Sequence, residues 1–331
     1  MRKIIFIFLS ICLLISVNGT AQQSKIDSLK VELVNAVTDT SRAQIMCLIG
    51  RNYEAINSDS ALYSYHQALS FVETKTDSIG MGLRAKIFTD LSFMNRKQNI
   101  EKAIEYSKKA LDLFIKLKKK RNELICYMNI GLHYSKIEQH AESIHYSEKG
   151  LNLGEEMKDT FFLAQCANTL GLMYCYVGVE DKALDALLLS LDMYKRINSP
   201  FNQAHTYLNL SILYGILKEP SKERKYVYKA LAIYEEMEDK GRMLLCHSVL
   251  AGQYSKQGKF KKAIKSYQEI LNKYDPEHAM IHIFIGSCYL SLNAMDTAKI
   301  YLDKATELLA DKPNLRQAST LNTTFSKYYT Q

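Results

Sequence analysis

Leu170-Gly171-Leu172-Met173-Tyr174 sets an apolar residue, a glycine and, three residues on, a tyrosine. The same order returns at Ile49-Gly50…Tyr53, Ile130-Gly131…Tyr134, Leu210-Ser211…Tyr214, Leu250-Ala251…Tyr254, Ile285-Gly286…Tyr289 and Phe325-Ser326…Tyr329. A degenerate copy stands at Leu91…Met94. The marker positions are therefore 50, 91, 131, 171, 211, 251, 286 and 326, with spacings of 41, 40, 40, 40, 40, 35 and 40. A fixed period of this size is the signature of a repeat architecture.

Each unit has a second half. About twelve residues after the marker comes a small residue, followed at +4 and +7 by further apolar or small ones: Ala61…Tyr65…Ala68, Ala103…Ala110, Ala183…Leu187, Ala263…Tyr267 and Ala298…Leu302…Ala305. Those offsets place the residues on one helical stripe. Turn residues separate the halves: Asn57-Ser58-Asp59, Gly178, Glu219-Pro220-Ser221 and Gly258. Each unit reads as two antiparallel helices. Composition agrees. The chain has 331 residues, 47% hydrophobic and 24% charged, which excludes a disordered chain. Its 14 Gly and 4 Pro are too few for a sandwich, a barrel or an α/β enzyme rich in strand-to-helix turns. The length suggests about two domains.

This pattern resembles the tetratricopeptide repeat (TPR) family, whose units carry Leu-Gly/Ala-x-x-Tyr on the first helix and Ala…Tyr/Phe…Ala on the second. With the marker numbered as position 8 of each unit, the tyrosines fall at 11 and most of the alanines at 20. The likeness covers roughly residues 40–331. It departs in period, which is mostly 40 here against the family's usual 34, so longer helices are expected. Ser143 and Glu223 also depart, at position 20. The resemblance implies an all-α, TPR-like solenoid, a right-handed superhelix of antiparallel helix pairs. Residues 22–39 are expected to form an N-terminal capping helix, and 40–331 seven helix pairs plus a final single helix. That last helix either caps the array or marks a longer protein.

The chain opens with what reads as a secretory signal peptide, residues 1–21. Arg2 and Lys3 precede the apolar stretch Ile4 to Val17, and small residues follow at Gly19 and Ala21. Cleavage is expected after Ala21, with Gly19 as the second choice. Ile11 before Cys12 argues against a lipoprotein signal. Losing Arg2 and Lys3, with no acid in 1–21, lowers the formal charge from +8 to +6. An exported, periplasmic location is expected, with secretion or surface association as the alternative, and no stable membrane insertion after cleavage. Six cysteines remain (Cys47, Cys126, Cys166, Cys175, Cys246 and Cys288), and no CxxC pair suggests a disulfide framework. They read as small buried apolar residues.

Catalytic constellations are missing from the sequence. No Walker loop, Rossmann glycine set or G-x-S-x-G is present. His278 and His282 stand at i, i+4, but without the intervening glutamate of a zinc motif or an evident third ligand. No metal, no cofactor and no enzymatic activity are expected. The basic runs Lys116–Arg121 and Lys256–Lys265 fall around helix ends and turns, where cations suit the C-terminal dipole. Interspersed acids and export argue against nucleic acid.

The family resemblance implies that positions 2, 5, 6, 9, 12 and 13 of the first helices face a concave groove. Position 6 carries Asn129, Thr169 and Asn209, with Asn168 beside Thr169. This is similar to the asparagine ladder by which several TPR proteins hold an extended peptide, since an amide both donates and accepts. Arg51, Leu132, Lys136, Leu172, Tyr176, Ile212 and Lys256 complete the expected groove, together with Cys175 and Phe284. The expected function is a non-catalytic scaffold binding a protein or peptide segment, extended or as an amphipathic helix. The alternative is the ligand-sensing module of a signalling or transcription-regulating protein, cut before a membrane helix and output domain.

Overall fold

The computed structural model describes residues 22–311 and 315–330. The expected signal peptide, residues 1–21, lies outside them. All regular structure among the described residues is helical, and the fold is an all-α helical-repeat solenoid. The chain divides into two compact units, with the boundary after Val177.

The first unit holds α1 (22–35), α2 (Asp39–Tyr53), α3 (Ser58–Val72), α4 (Ser78–Asn95), α5 (Ile100–Lys116), α6 (Lys120–Lys136), α7 (His140–Met157) and α8 (Thr160–Val177). Helices pair as α2/α3, α4/α5 and α6/α7, while α2 also touches α4 and α6 touches α8. The first helices thus form a row. At the start of the row, Ile26 and Leu29 of α1 are buried with Ile45, Ile49 and Tyr65 of the first pair. The second unit holds α9 (Glu180–Arg196), α10 (Pro200–Ile216), α11 (Pro220–Glu236), α12 (Lys240–Lys256), α13 (Phe260–Lys273), α14 (Ala279–Ser291), α15 (Met295–Asp311) and α16 (Leu315–Thr330). Its pairs are α10/α11, α12/α13 and α14/α15, and α16 packs on both α14 and α15. The single short spacing, 251 to 286, has a local cause: α13 and α14 have 14 and 13 residues, where most helices have 17 or 18.

Close contact within a pair explains the small markers. A Cβ on Gly131 would lie 2.5 Å from Ser147 Oγ and 3.4 Å from the Ser143 carbonyl oxygen. One on Gly286 would lie 2.8 Å from Leu302 Cδ2. Across these contacts, Ala103, Ala183, Ala263 and Ala298 at position 20, and Ala61 one place earlier in its unit, are fully buried. The two departures are compensated. Ser143 donates its hydroxyl to the Gly131 carbonyl at 2.8 Å. Glu223 reaches past Gly215, where a Cβ would meet its Oε1 at 3.1 Å, to accept from Lys256 at 3.1 Å.

Position-11 tyrosines stack on a second-helix ring in three pairs: Tyr134 on Tyr146 (5.8 Å), Tyr214 on Tyr226 (5.3 Å) and Tyr289 on Tyr301 (5.6 Å). Such ring pairs add roughly 0.5–1.5 kcal/mol to area burial. All six described cysteines are buried, and none of them forms a disulfide. Burial pushes the thiols of Cys47, Cys126, Cys166 and Cys246 up to about 12, so they pack as apolar groups.

The period of 40 has a backbone origin. Lys118, Glu138, Lys158, Gly178, Asn198, Lys218, Glu238 and Gly258 all have positive φ, and they stand twenty residues apart. At Lys118, Glu138, Lys158, Asn198, Lys218, Glu238 and Gly258 the residue ends a helix in the left-handed cap of a Schellman motif. The 6→1 bonds include Gln139 N–H to the Tyr134 carbonyl (3.1 Å), Glu219 to Tyr214 (2.9 Å) and Lys259 to Tyr254 (2.9 Å). The marker tyrosine therefore also ends its helix. Earlier turns work differently: Thr38, Asn57, Asp77 and Asn99 cap the following helix with their side chains.

Lys and Glu carry a steric cost of about 1 kcal/mol in this conformation, partly offset because glycine loosens the unfolded chain. Glu138→Gly with Glu238→Gly should therefore raise stability by about 0.5 kcal/mol per site, measured by urea unfolding. Gly258→Glu should do the reverse.

Candidate functional site

Residues of four helices, α2, α4, α6 and α8, line one cavity of about 610 Å³ in the first unit. Met128, Asn129, Leu132 and Lys136 come from α6. They occupy positions 5, 6, 9 and 13, spaced so that one helix face presents all four. Gln165 enters from α8, Arg51 from α2, Glu54 from the residue after it, and Thr89, Asp90, Ser92 and Phe93 from α4, with Arg96 just past its end.

Electrostatics divide this cavity. At one side, Arg51 pairs with Asp90 at 3.1 Å. Burial pushes the Asp90 carboxyl above its ordinary range, and Arg51 only partly opposes it. Glu54 accepts from the buried Tyr65 hydroxyl. At the other side, Arg96 lies over the Phe93 ring with its guanidinium carbon 3.3 Å from the centroid. Burial and the nearby Arg96 and Lys97 hold the Lys136 ammonium below its ordinary range. His133 is buried on the same side, its Nε2 3.2 Å from Ser92 Oγ, which in turn meets Ser107 Oγ at 2.6 Å. Burial first, then Lys136 and Arg96, depress the His133 pKa to about 4. The His133 Nδ1 and Gln165 Oε1 atoms are buried without a hydrogen-bond partner.

A second cavity, of about 550 Å³, lies within the second unit. Leu245, Ser248, Val249, Gly252, Ser255 and Lys256 of α12 line it, and these are positions 2, 5, 6, 9, 12 and 13. Ile212, Gly215 and Ile216 of α10 and Phe284 of α14 complete an apolar floor. The Lys256–Glu223 pair closes its edge.

Of the residues expected in the groove, Arg51, Asn129, Leu132 and Lys136 share the first cavity, and Ile212, Lys256 and Phe284 the second. Asn129 is half-buried and open to its cavity, whereas Asn168 and Asn209 are 8% and 4% exposed. Thr169 donates its hydroxyl to the Gln165 carbonyl at 3.1 Å. Leu172 is half-buried and Cys175 buried. Tyr176 is exposed and stacks on His140 at 5.4 Å. Sequence reasoning missed Arg96, Phe93, His133 and Gln165. Arg96 at position 13 and Gln165 at position 2 were within reach of the same register, though Arg96 sits in the degenerate unit. The i, i+4 histidines point elsewhere: a His282 ring nitrogen lies 3.0 Å from the Pro276 carbonyl oxygen, and no metal-binding group of three occurs among the described residues.

Residues 163–236 match a tetratricopeptide-repeat family profile, and residues 281–310 match another profile of the same repeat. None of the curated proteins matches the chain in sequence. Among solved structures, a tetratricopeptide-repeat protein from Parabacteroides merdae superposes with a TM-score of 0.64 at 14% identity, over 86% of this chain and 98% of that one. The apo quorum sensor NprR from B. thuringiensis gives 0.62 at 18% identity, over 90% and 84%. A Rap protein complexed with Competence and Sporulation Factor gives 0.56 at 16% identity, over 95% and 96%. At these identities the likeness is one of fold.

His133 makes acid stability measurable. Its folded pKa of about 4 lies below the ordinary 6.5, so the unfolded chain gains a proton first. The stability it contributes is full above pH 6.5 and lost as pH falls toward 4, on the order of 2–3 kcal/mol. Urea unfolding at pH 7 and pH 4 should show this extra loss in the native chain and not in His133→Gln.

Proposed function

We propose that this tetratricopeptide-repeat protein is an exported, non-catalytic scaffold that holds a segment of a partner protein along its first helices. The observation that carries this reading is the lining of the first cavity. Met128, Leu132 and Phe93 supply apolar surface, while Asn129 and Gln165 supply amides, and the Gln165 Oε1 acceptor has no partner of its own. Apolar contact with interspersed amides suits a peptide, whose side chains need burial and whose backbone needs both donors and acceptors. Asn129 is the ladder residue that would meet that backbone, while in the second cavity Ile212 offers apolar floor and Lys256 a cationic edge. The Rap structure with Competence and Sporulation Factor supports the reading by analogy of fold. A second reading, a sensory module within a signalling protein, draws on the likeness to the quorum sensor NprR.

A photocrosslinking residue at Leu132 should capture a partner in the native cell, and one at the exposed Tyr228 of α11 should not. Asn129→Ala with Leu132→Asp should reduce partner binding by at least tenfold in a pulldown, about 1.4 kcal/mol. Equal capture from both positions would overturn the reading. If the partner-bound chain belongs to a larger polypeptide, the sensory reading replaces the free scaffold. Export is tested on the protein itself: its N-terminal residue should be Gln22, or Thr20 under the second cleavage choice, and an intact Met1 would remove export.

A further inference from the structure

A further cavity, of about 590 Å³, lies between α1, α2 and α3 in the first unit. From α2 it is lined by Met46, Ile49 and Tyr53, which are positions 4, 7 and 11. Helical geometry puts these on the side of α2 opposite Arg51 at position 9, so this cavity is separate from the groove and its occupant is independent of the groove's.

Comparison of the repeats explains the hollow. In four units a tyrosine stands three residues after position 20: Tyr106, Tyr146, Tyr226 and Tyr301. Tyr146, Tyr226 and Tyr301 stack on the position-11 tyrosine of their own unit, and Tyr106 stacks on Phe88 at 5.9 Å. The first unit, whose turn is one residue shorter, carries Ser64 at that place, three residues after Ala61. Ser64 donates its hydroxyl to the Ser60 carbonyl at 2.7 Å and lines the cavity together with Tyr53. Tyr53 is half-buried, and neither a ring nor a cation stacks on it among the described residues. Ala186 and Ser266 also lack the ring, and in the fourth unit Tyr174 instead donates its hydroxyl to Glu148 at 2.8 Å. The first unit differs in being preceded by the single helix α1 among the described residues, and α1 gives the wall Lys30 and Leu33.

We infer that this cavity binds a small, neutral aromatic molecule, which stacks on Tyr53 where the other units place a tyrosine of their own. Tyr53, Tyr63 and Phe71 bring three rings to the wall, and aromatic rings prefer offset-stacked or edge-on partners. Its two charged residues, Lys30 and Asp59, have opposite signs, and Lys30 already pairs with Asp27 at 3.8 Å. The wall therefore favours neither an anion nor a cation. Gln67 offers an amide to one polar group of the ligand. An apolar cavity of about 150 Å³ already holds benzene, so the space exceeds the one ring that Ser64 omits. It falls among small-molecule sites, which run roughly 300–1,000 Å³. The occupant is thus a whole molecule, with room for fused rings, and not one side chain of a partner.

The test uses the full chain, as the native cell processes it, with indole as the probe. The chain contains no Trp, so indole fluorescence excited beyond the tyrosine band is read without background. Indole polarisation should rise saturably with protein. Phenol should displace indole about threefold to tenfold more effectively than cyclohexanol, benzoate or phenyltrimethylammonium, which lack the ring or carry a charge. Ser64→Tyr should abolish indole binding and raise the melting temperature, because it supplies the ring that other units carry. Tyr53→Leu should weaken binding by about threefold to tenfold. Should Ser64→Tyr fail to fold, Tyr53→Leu, checked by its circular-dichroism melt, carries the test. No saturable binding up to the solubility of indole would overturn the inference, and so would indole binding that survives Ser64→Tyr in a folded chain. Displacement by cyclohexanol or by either charged compound as effective as that by phenol would remove the neutral aromatic class. Capture of a Trp-containing hexapeptide without binding of indole would overturn the small molecule in favour of a partner's side chain.

Discussion

Everything in this fold depends on two helices approaching closely enough for backbone to meet side-chain root. Gly131 against Ser143 and Ser147, and Gly286 against Ala298 and Leu302, leave no room for a Cβ. Two helices in such contact bury little unless neighbours stack on them, so the repeat is a consequence of the pair. Ile49, Ile87 and Leu91 belong to one buried cluster although they come from different pairs, which is how the stacking is held.

Stacking in turn needs helices of equal length. Left-handed caps every twenty residues from Lys118 to Gly258 supply that regularity. Because the marker tyrosine accepts the cap bond through its carbonyl in several turns, one residue spaces the helix and packs it. The uniform length then brings the same helix positions to the same face each time. That is why α6 and α12, more than a hundred residues apart, line their cavities with residues at positions 5, 6, 9 and 13.

Polar groups in this framework are tolerated where a neighbour answers them. Glu223 stands where an alanine is usual because Gly215 makes space and Lys256 supplies charge. Ser92, Ser107 and His133 form a small buried set between α4, α5 and α6. Two buried groups left unanswered, His133 Nδ1 and Gln165 Oε1, belong to residues that line the first cavity.

The sequence by itself determined the helix pairs, their period and the face that lines the cavities. These are local matters: a small residue, a tyrosine three places on, and a helix whose periodicity fixes which side chains share a side. It also determined that the cysteines pack as apolar residues, since none stood near enough for a pattern. Tertiary structure decided which face residues remain open. Asn129 lines a cavity, while Asn209, at the same position of its unit, is buried. Only packing decided that Arg51 would be neutralised by Asp90 and that Arg96 and Lys136 would line the same cavity without an ion pair among the described residues. Period and register follow from neighbours along the chain. Exposure and charge balance follow from neighbours across it, and those depend on the distances between helices.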